Sequence, residues 1–395
     1  MTELIPARRS RQEGTTLLAV VAVLALACLL LGGVVLFEDM SRRMDTVQNE
    51  GIPAGGSNAP FVEAWSVAVN PALILEMALS PGRAGEFLAL NSDEISRFDQ
   101  SGARLGGFAA PRNSSRIASD PTGSIPYVLV VSSNTKWTGA IDYTNTTDHF
   151  LQALDRRGRE IWKKRFDPKV VSTLEPIVAT LNSRTVVVLS ASRRILCFDS
   201  EGAELWDVPL WHHPGSVTAV DLAGHGAGTL LAALAPGKEI VHIGHLGTVI
   251  GPWGIGEGPR RFRAMKTASG TAAVSLRQVF GRGQGVRHAL AFFDGEGTMI
   301  EEVELPPDSS PLSYAPITAM DIDGSGRRNW IVALADGTIL AFSPLGEELA
   351  RHATGARLRT VLTFPQSSGG DILITATNRG LTAWRPVPDR FRPVR

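Results

Sequence analysis

A strand–turn–strand motif returns seven times after residue 61, with successive copies 42 to 56 residues apart. That period predicts an all-β fold, a β-propeller of about seven four-stranded blades. A second observation, an uncharged apolar run near the N-terminus, predicts that one transmembrane helix precedes it. A third, a lone strand-like segment at 61–69, predicts how the ring closes.

The elements follow in chain order. Residues 1–15 form a basic tail with Arg8, Arg9 and Arg11. Residues 16–37, Thr16 to Phe37, hold 22 residues without a charge. At 1.5 Å per helical residue they span a hydrocarbon core of about 30 Å. Glu38, Asp39, Arg42 and Arg43 follow. The arginine bias places the N-terminal tail in the cytoplasm and the propeller outside it, in the periplasm if the source is bacterial. A cleaved signal peptide would have a shorter apolar stretch ending at small residues. Here Leu29, Leu30 and Leu31 carry the run past Cys28, which favours a retained anchor. Residues 38–60 end in Gly51-Ile-Pro-Ala-Gly55-Gly-Ser-Asn58 and read as a linker. Residues 61–395 are the propeller.

The repeat is carried by strands that end in a large apolar residue and then turn through glycine. Ile95-Ser-Arg-Phe98-Asp-Gln-Ser-Gly102, Leu151-Gln-Ala-Leu154-Asp-Arg-Arg-Gly158 and Ile195-Leu-Cys-Phe198-Asp-Ser-Glu-Gly202 are the clearest copies. Others end at Ile243, Phe293 and Phe342, and a seventh, ending at Trp384, lacks the glycine turn. The chemistry explains the pattern. Aspartate accepts hydrogen bonds from the backbone just ahead of it, and glycine supplies the positive φ that closes the hairpin. Val217-Thr-Ala-Val-Asp221 and Ile317-Thr-Ala-Met-Asp321 match at an offset of 100 residues, which sets those copies two blades apart. Blade two is the longest, with its excess around Lys136 to Asp148. The segment Phe61-Val-Glu-Ala-Trp65-Ser-Val-Ala-Val69 resembles the outer strands that contain Trp162 and Trp206, and is predicted to complete the last blade.

Composition excludes some functions. Lys plus Arg and Asp plus Glu number 39 each, which gives no general attraction to nucleic acid. Cys28 and Cys197 are the two cysteines, so neither a disulfide framework nor a four-cysteine zinc site is available.

The Gly-x-Glu-Leu-Trp206 pattern resembles the quinoprotein-like repeats, including those of BamB-type outer-membrane assembly lipoproteins. The stretch Asp321-Ile-Asp323-Gly-Ser325-Gly-Arg327-Arg-Asn329 resembles the calcium loop of FG-GAP or VCBS repeats. That resemblance implies Ca2+ held by side-chain oxygens of Asp321, Asp323, Ser325 and Asn329 with the carbonyl of Arg327, since a hard cation takes oxygen ligands from alternate loop residues. Serine and asparagine stand where acids are usual in the family, which lowers the charge of the site. The alternative is an Asp/Gly-rich turn. The sister loop, with Asp221, Ala223, His225 and Thr229, is too poor in oxygen ligands to hold the ion.

No catalytic constellation accompanies these repeats. The quinoprotein resemblance implies a cofactor beneath a tryptophan and a vicinal disulfide, and no cysteine pair exists here. Trp162 and Trp206 read as packing between blades. The eight histidines include His212-His213 and His242, but zinc needs three or four convergent ligands, which a sequence does not display. Gly251–Gly258 and Gly281–Gly285 lack the spacing of a phosphate or dinucleotide loop and read as turns. Arg260, Arg261 and Arg263 form the densest basic spot and read as a solvated surface, with contact to an acidic partner as the alternative. Asn113 and Asn145 fit glycosylation acceptors in a eukaryotic source. The expected function is therefore a membrane-anchored, extracytoplasmic scaffold for a protein or cell-envelope partner. A quinoprotein-like or metal-dependent enzyme and a glycan-binding propeller are the alternatives.

Overall fold

The computed structural model describes residues 59–393, apart from 70–73, 121, 137–145, 167–173, 223–227, 236–238, 256–258, 269, 281–285, 307–309, 313–315 and 367–368. The predicted transmembrane segment 16–37 and most of the linker lie outside the described residues, among which no helix is long and apolar enough to cross a membrane. The described residues all belong to one compact unit, 53–395.

Twenty-eight strands in this unit form seven four-stranded antiparallel sheets. In six of them the strands are consecutive in the chain, innermost first. The innermost strands of neighbouring sheets touch in order around the ring, and that of blade 7 (Thr360–Phe364) touches that of blade 1 (Glu76–Leu79). This is a seven-bladed propeller. The apolar anchors predicted from the repeat all lie in third strands and are all buried: Phe98, Leu154, Phe198, Ile243, Phe293, Phe342 and Trp384.

The turns behave as their chemistry requires. Asp99 Oδ1 accepts the amides of Ser101 and Ala103 at 2.8 and 2.9 Å, and Asp199 does the same for Glu201 and Ala203 at 3.0 and 2.7 Å. Gly202 has φ +80°, and a Cβ there would lie 2.8 Å from the Trp162 ring. The glycine is thus required twice, by the backbone and by the aromatic side chain of the preceding blade.

That contact recurs around the ring. Trp162 Nε1–H donates to the Ser200 carbonyl (3.1 Å), Trp206 to His245 (3.1 Å) and Trp253 to Gly295 (3.3 Å). In each case an outer-strand tryptophan holds the turn of the next blade. Trp253 corrects the reading of Gly251–Gly258 as a turn, because Val249–Ile255 is the outer strand of blade 4. The second glycine cluster, 281–285, lies outside the described residues. Blade two carries its extra length as a taller hairpin, with Val128–Lys136 paired to Thr146–Leu154 through Lys136 opposite Thr146. The core is divided into layers between blades. In one of them Val188 and Cys197 of blade 3 meet Leu230 and Ala232 of blade 4.

Blade 7 is built from both ends of the propeller. Its strands lie in the order Phe61–Ala68, Gly380–Pro386, Ile372–Ala376, Thr360–Phe364. The predicted closing strand is therefore the outer strand of the last blade, with Phe61 opposite Pro386 and Ala68 opposite Gly380. Trp65 occupies the repeat position, donating from Nε1 to the Gln100 carbonyl at 2.8 Å and stacking on Phe87. Beside it the C-terminal segment clasps the incoming chain. Val387 N–H donates to the Pro60 carbonyl (2.9 Å), and the Arg390 guanidinium to that of Ala59 (2.6 Å).

Candidate functional site

The strand order gives the ring two unlike faces. Connections from first to second and from third to fourth strands lie on one face, here the turn face. Those from second to third strands and from blade to blade lie on the other, the loop face. The chain enters through Ala59–Phe61 on the turn face, because Phe61 pairs with the end of the third strand of blade 7. The taller hairpin of blade two rises on the loop face, as does the crossing from blade 3 to blade 4 with half-exposed Trp211.

The calcium-like loop joins the first two strands of blade 6 and so lies on the turn face. Asp321 uses both carboxylate oxygens to close it, accepting Gly324 N–H at 2.9 Å and Gly326 N–H at 2.8 Å. Asp323 accepts Ser325 N–H at 3.0 Å, and the Arg327 guanidinium lies 3.5 Å from its other oxygen. Serine's hydrogen bonds hold the Asp323 carboxyl below its usual range, with Arg327 acting in the same direction. The Ser325 hydroxyl accepts Arg327 N–H at 3.3 Å, and Asn329 has passed into the next strand, opposite Met320. The loop thus gathers Asp321, Asp323 and Ser325, each accepting a backbone amide within the loop, with the exposed Arg327 guanidinium beside Asp323. A neighbour the sequence reading missed, buried Asp371, packs against the loop. It accepts Asp321 N–H at 2.9 Å, and burial raises its pKa. The sister residues at 223–227 lie outside the described residues.

Among the described residues no three His, Cys, Asp or Glu side chains form a metal-binding group. Cys197 is buried, and burial pushes its thiol up to about 12, far from a reactive thiolate. A cleft of about 740 Å³ at the seam of blades 7 and 1 is lined by Val67, Ser96, Phe98 and Arg104, among others. Its lining also holds Asp93 and Glu94, and the Glu94 carboxylate is ion-paired with Arg104.

The distinctive electrostatic feature is at the channel. The innermost strands begin on the loop face, and at that end five charged side chains from four blades converge. Glu76, the first residue of its strand in blade 1, accepts Ile117 N–H of blade 2 at 2.7 Å, with Arg116 at 3.5 Å. Glu175, the second residue of its strand in blade 3, has Arg261 of blade 5 at 3.2 Å and Arg263 at 3.9 Å. The arginines reach it across blade 4, where Arg261 donates to the Gly215 carbonyl (3.1 Å) and Arg263 to the Ser216 hydroxyl (3.1 Å). Glu76 also feels the charges of Glu175 and Arg263, so the two ion-paired groups form one collar at the mouth of the channel. Burial raises the Glu76 pKa to about 7, against the opposing pull of Arg116 and the Ile117 amide. This corrects the solvated reading of Arg261 and Arg263: their side chains are only 22% and 28% exposed and their partner is in another blade.

No family model matches the chain, and no curated protein matches it. Solved structures do match. BBS1N in complex with ARL6DN aligns with TM-score 0.59 at 13% identity, over 85% of this chain and 99% of that one. Hydrazine synthase of Kuenenia stuttgartiensis aligns with TM-score 0.56 at 14% identity, over 82% and 99%. BamB from Moraxella catarrhalis aligns with TM-score 0.50 at 16% identity, over 83% and 98%. At such identities the likeness is one of fold, and it bears out the propeller and its resemblance to BamB.

Proposed function

We propose that the chain is a membrane-anchored, extracytoplasmic scaffold whose propeller presents its loop face to a protein or cell-envelope partner and performs no catalysis. The observation that carries this reading is the asymmetry of the ring. The chain from the N-terminus enters on the turn face, where Pro60 and Ala59 are clasped by Val387 and Arg390. The taller hairpin, exposed Trp211 and the charged collar all lie on the opposite face. The loop face is thus clear of the entering strand, and exposed Trp211 on it suits protein contacts. The neighbour BBS1N was crystallised with ARL6DN, so this fold can carry a protein partner, while the neighbour named a synthase warns that fold alone assigns no function.

Two experiments test the proposal. Protease added to intact spheroplasts should digest residues beyond Asp45 while leaving the N-terminal tail protected. Digestion only from the cytoplasmic side would overturn the topology. In-cell crosslinking from Trp211, with mass spectrometry, should recover one recurrent partner, and crosslinking from Arg327 on the turn face should not. Equal recovery from both faces would remove the asymmetry argument. A stoichiometric quinone chromophore in the purified chain would return it to the enzymes.

A further inference from the structure

We propose that the cleft at the seam of blades 7 and 1 is a binding site for a neutral sugar, a mono- or disaccharide. The inference goes beyond the scaffold reading and stands on its own observations. The space arises from a local exception in the repeat. Third and outer strands pair in a common register, which sets Gln152 opposite Lys163 in blade 2, Leu196 opposite Asp207 in blade 3 and Leu340 opposite Arg351 in blade 6. Blade 1 has Ser96 opposite Gly107 at that place. A Cβ on Gly107 would collide with the Glu94 carboxylate, so the small pair leaves room for that side chain and for the cleft beside it. The end of the closing strand, Val67 to Val69, lines the cleft from blade 7. Its volume of about 740 Å³ lies within the range of small-molecule sites.

Two buried polar groups open into this space with nothing to bond. Asn91 lines the cleft and is 9% exposed. Its Oδ1 accepts Asp93 N–H at 2.8 Å and Glu94 N–H at 2.7 Å, which fixes the amide and leaves Nδ2 without a partner among the described residues. Ser96 also lines the cleft and is 5% exposed, and its hydroxyl has no partner among the described residues either. A buried polar group left unpaired costs stability until water or a ligand takes the bond. The charged residues of the lining are Asp93, Glu94 and Arg104, of which Glu94 and Arg104 pair with each other. Residues 70–73, which follow the closing strand, lie outside the described residues and carry no charge.

These groups define the ligand. Asn91 Nδ2 only donates, so the ligand must offer an acceptor oxygen; the Asp93 carboxylate only accepts, so the ligand must also offer donors. A hydroxyl does both. An anion is disfavoured, because the guanidinium of Arg104 is matched by Glu94 and Asp93 adds a further negative charge. A simple cation gives Asn91 no acceptor. Asn91 and Asp93 stand two residues apart in one hairpin, which presents donor and acceptor side by side, as vicinal hydroxyls are. The N–H and C=O of a trans peptide unit point opposite ways, so a peptide chain matches the pair less well. Val67 and Val69 supply apolar surface for the C–H face of a sugar ring.

The test begins with the full-length chain, in a detergent without a sugar headgroup, on an array of neutral and acidic glycans. Maltose, cellobiose, chitobiose and lactose are then titrated calorimetrically, with sialyllactose, oligo-alanine and oligo-lysine as comparison ligands. Saturable 1:1 binding of a neutral sugar is expected, with little dependence on salt. Ser96→Leu, which puts the blade 3 residue at this position, should abolish it. Asn91→Asp keeps an oxygen for the hairpin amides but replaces the donor, and should cost about tenfold; Asp93→Asn should cost a similar factor. Thr298→Ala, on an exposed turn of blade 5, should cost under twofold. Thermal melts of each variant separate lost binding from lost folding, and the two hairpin variants read the site if Ser96→Leu fails to fold. No saturable binding of any neutral sugar, undiminished binding by folded Asn91→Asp and Asp93→Asn, or a peptide or sialyllactose bound as tightly as the neutral sugar would each overturn the proposal. Its failure would leave the topology and crosslinking tests of the scaffold reading standing.

Discussion

His352 is the sharpest place to test how this ring is held shut. It lies on the outer strand of blade 6 and is 3% exposed, between Phe61 of the closing strand and Trp384 of blade 7 at ring-centroid distances of 5.5 and 4.9 Å. Among the described residues neither ring nitrogen has a hydrogen-bond partner. Burial lowers its pKa from 6.5 to about 4. A histidine depressed on folding contributes stability above its unfolded pKa and loses it as pH falls toward the folded value. Integrating proton binding for those two pKa values from pH 7 to pH 4.5 gives a loss of roughly 2–3 kcal/mol. Glu76 runs the other way. Raised from 4.5 to about 7, it contributes fully below pH 4.5 and loses that contribution as pH rises toward 7. Over the same acidification it returns a contribution of the same order, roughly 2–3 kcal/mol. The two terms oppose each other in the wild type, so variants separate them. Urea unfolding of wild type, His352→Leu and Glu76→Gln at pH 7 and 4.5 provides the measurement. Relative to wild type, on acidification His352→Leu should gain and Glu76→Gln should lose roughly 2–3 kcal/mol each. Differences between variants cancel every other titrating group. If both variants track the wild type within about 0.5 kcal/mol, the burial argument at these two sites is refuted.

Three further predictions concern the seam and the loop. Trp65→Ala should cost about 2–3 kcal/mol, less than a fully buried tryptophan because the residue is only partly buried, as measured by urea midpoint. Deleting residues 1–58 should leave a cooperatively unfolding domain and deleting 1–70 should not; equal midpoints for the two would mean that the closing strand adds nothing. Asp321→Ala should lower stability by about 1–2 kcal/mol in chelator as well as in calcium, because its oxygens hold the Gly324 and Gly326 amides. A loss confined to calcium-containing buffer, followed by thermal melting, would restore the ion.

The fold was legible because its signal is local and repeated. Asp99 and Asp199 bond to amides within four residues, so their turns are written in contiguous sequence, and seven similar periods multiply a weak signal. Ring closure was legible for the same reason: Trp65 makes the bond to Gln100 that Trp162 makes to Ser200. Trp253 was missed because two extra residues and a proline separate it from its glycine turn, and bulges between Ile240 and Val241 and between His242 and Ile243 absorb them. The collar was illegible in a different sense. Its members run from residue 76 to residue 263 and meet only because the ring brings blades 1, 2, 3 and 5 to one channel. One trace was present. Glu76 and Glu175 each stand at the start of an otherwise apolar innermost strand, where a charge has no solvent-facing reason to be.

The burial of that charge separates support from recognition in this ring. A charged group on an innermost strand costs desolvation that the adjacent apolar layers do not need, and replacing such a pair with apolar residues is often neutral or stabilising. On the turn face, by contrast, the carboxylates of Asp99, Asp199 and Asp321 each accept backbone amides within their own turn. Those acids have a structural role within their own turns. At the collar the pairing is between blades, Glu76 is held where half its charge is lost near pH 7, and guanidinium groups outnumber carboxylates among the described residues. Closing the ring requires none of this, since the apolar layers and the tryptophan–turn contacts already join blade to blade. The stability that Glu76→Gln should recover at pH 7 is therefore the measurable cost of keeping a charged mouth on the loop face.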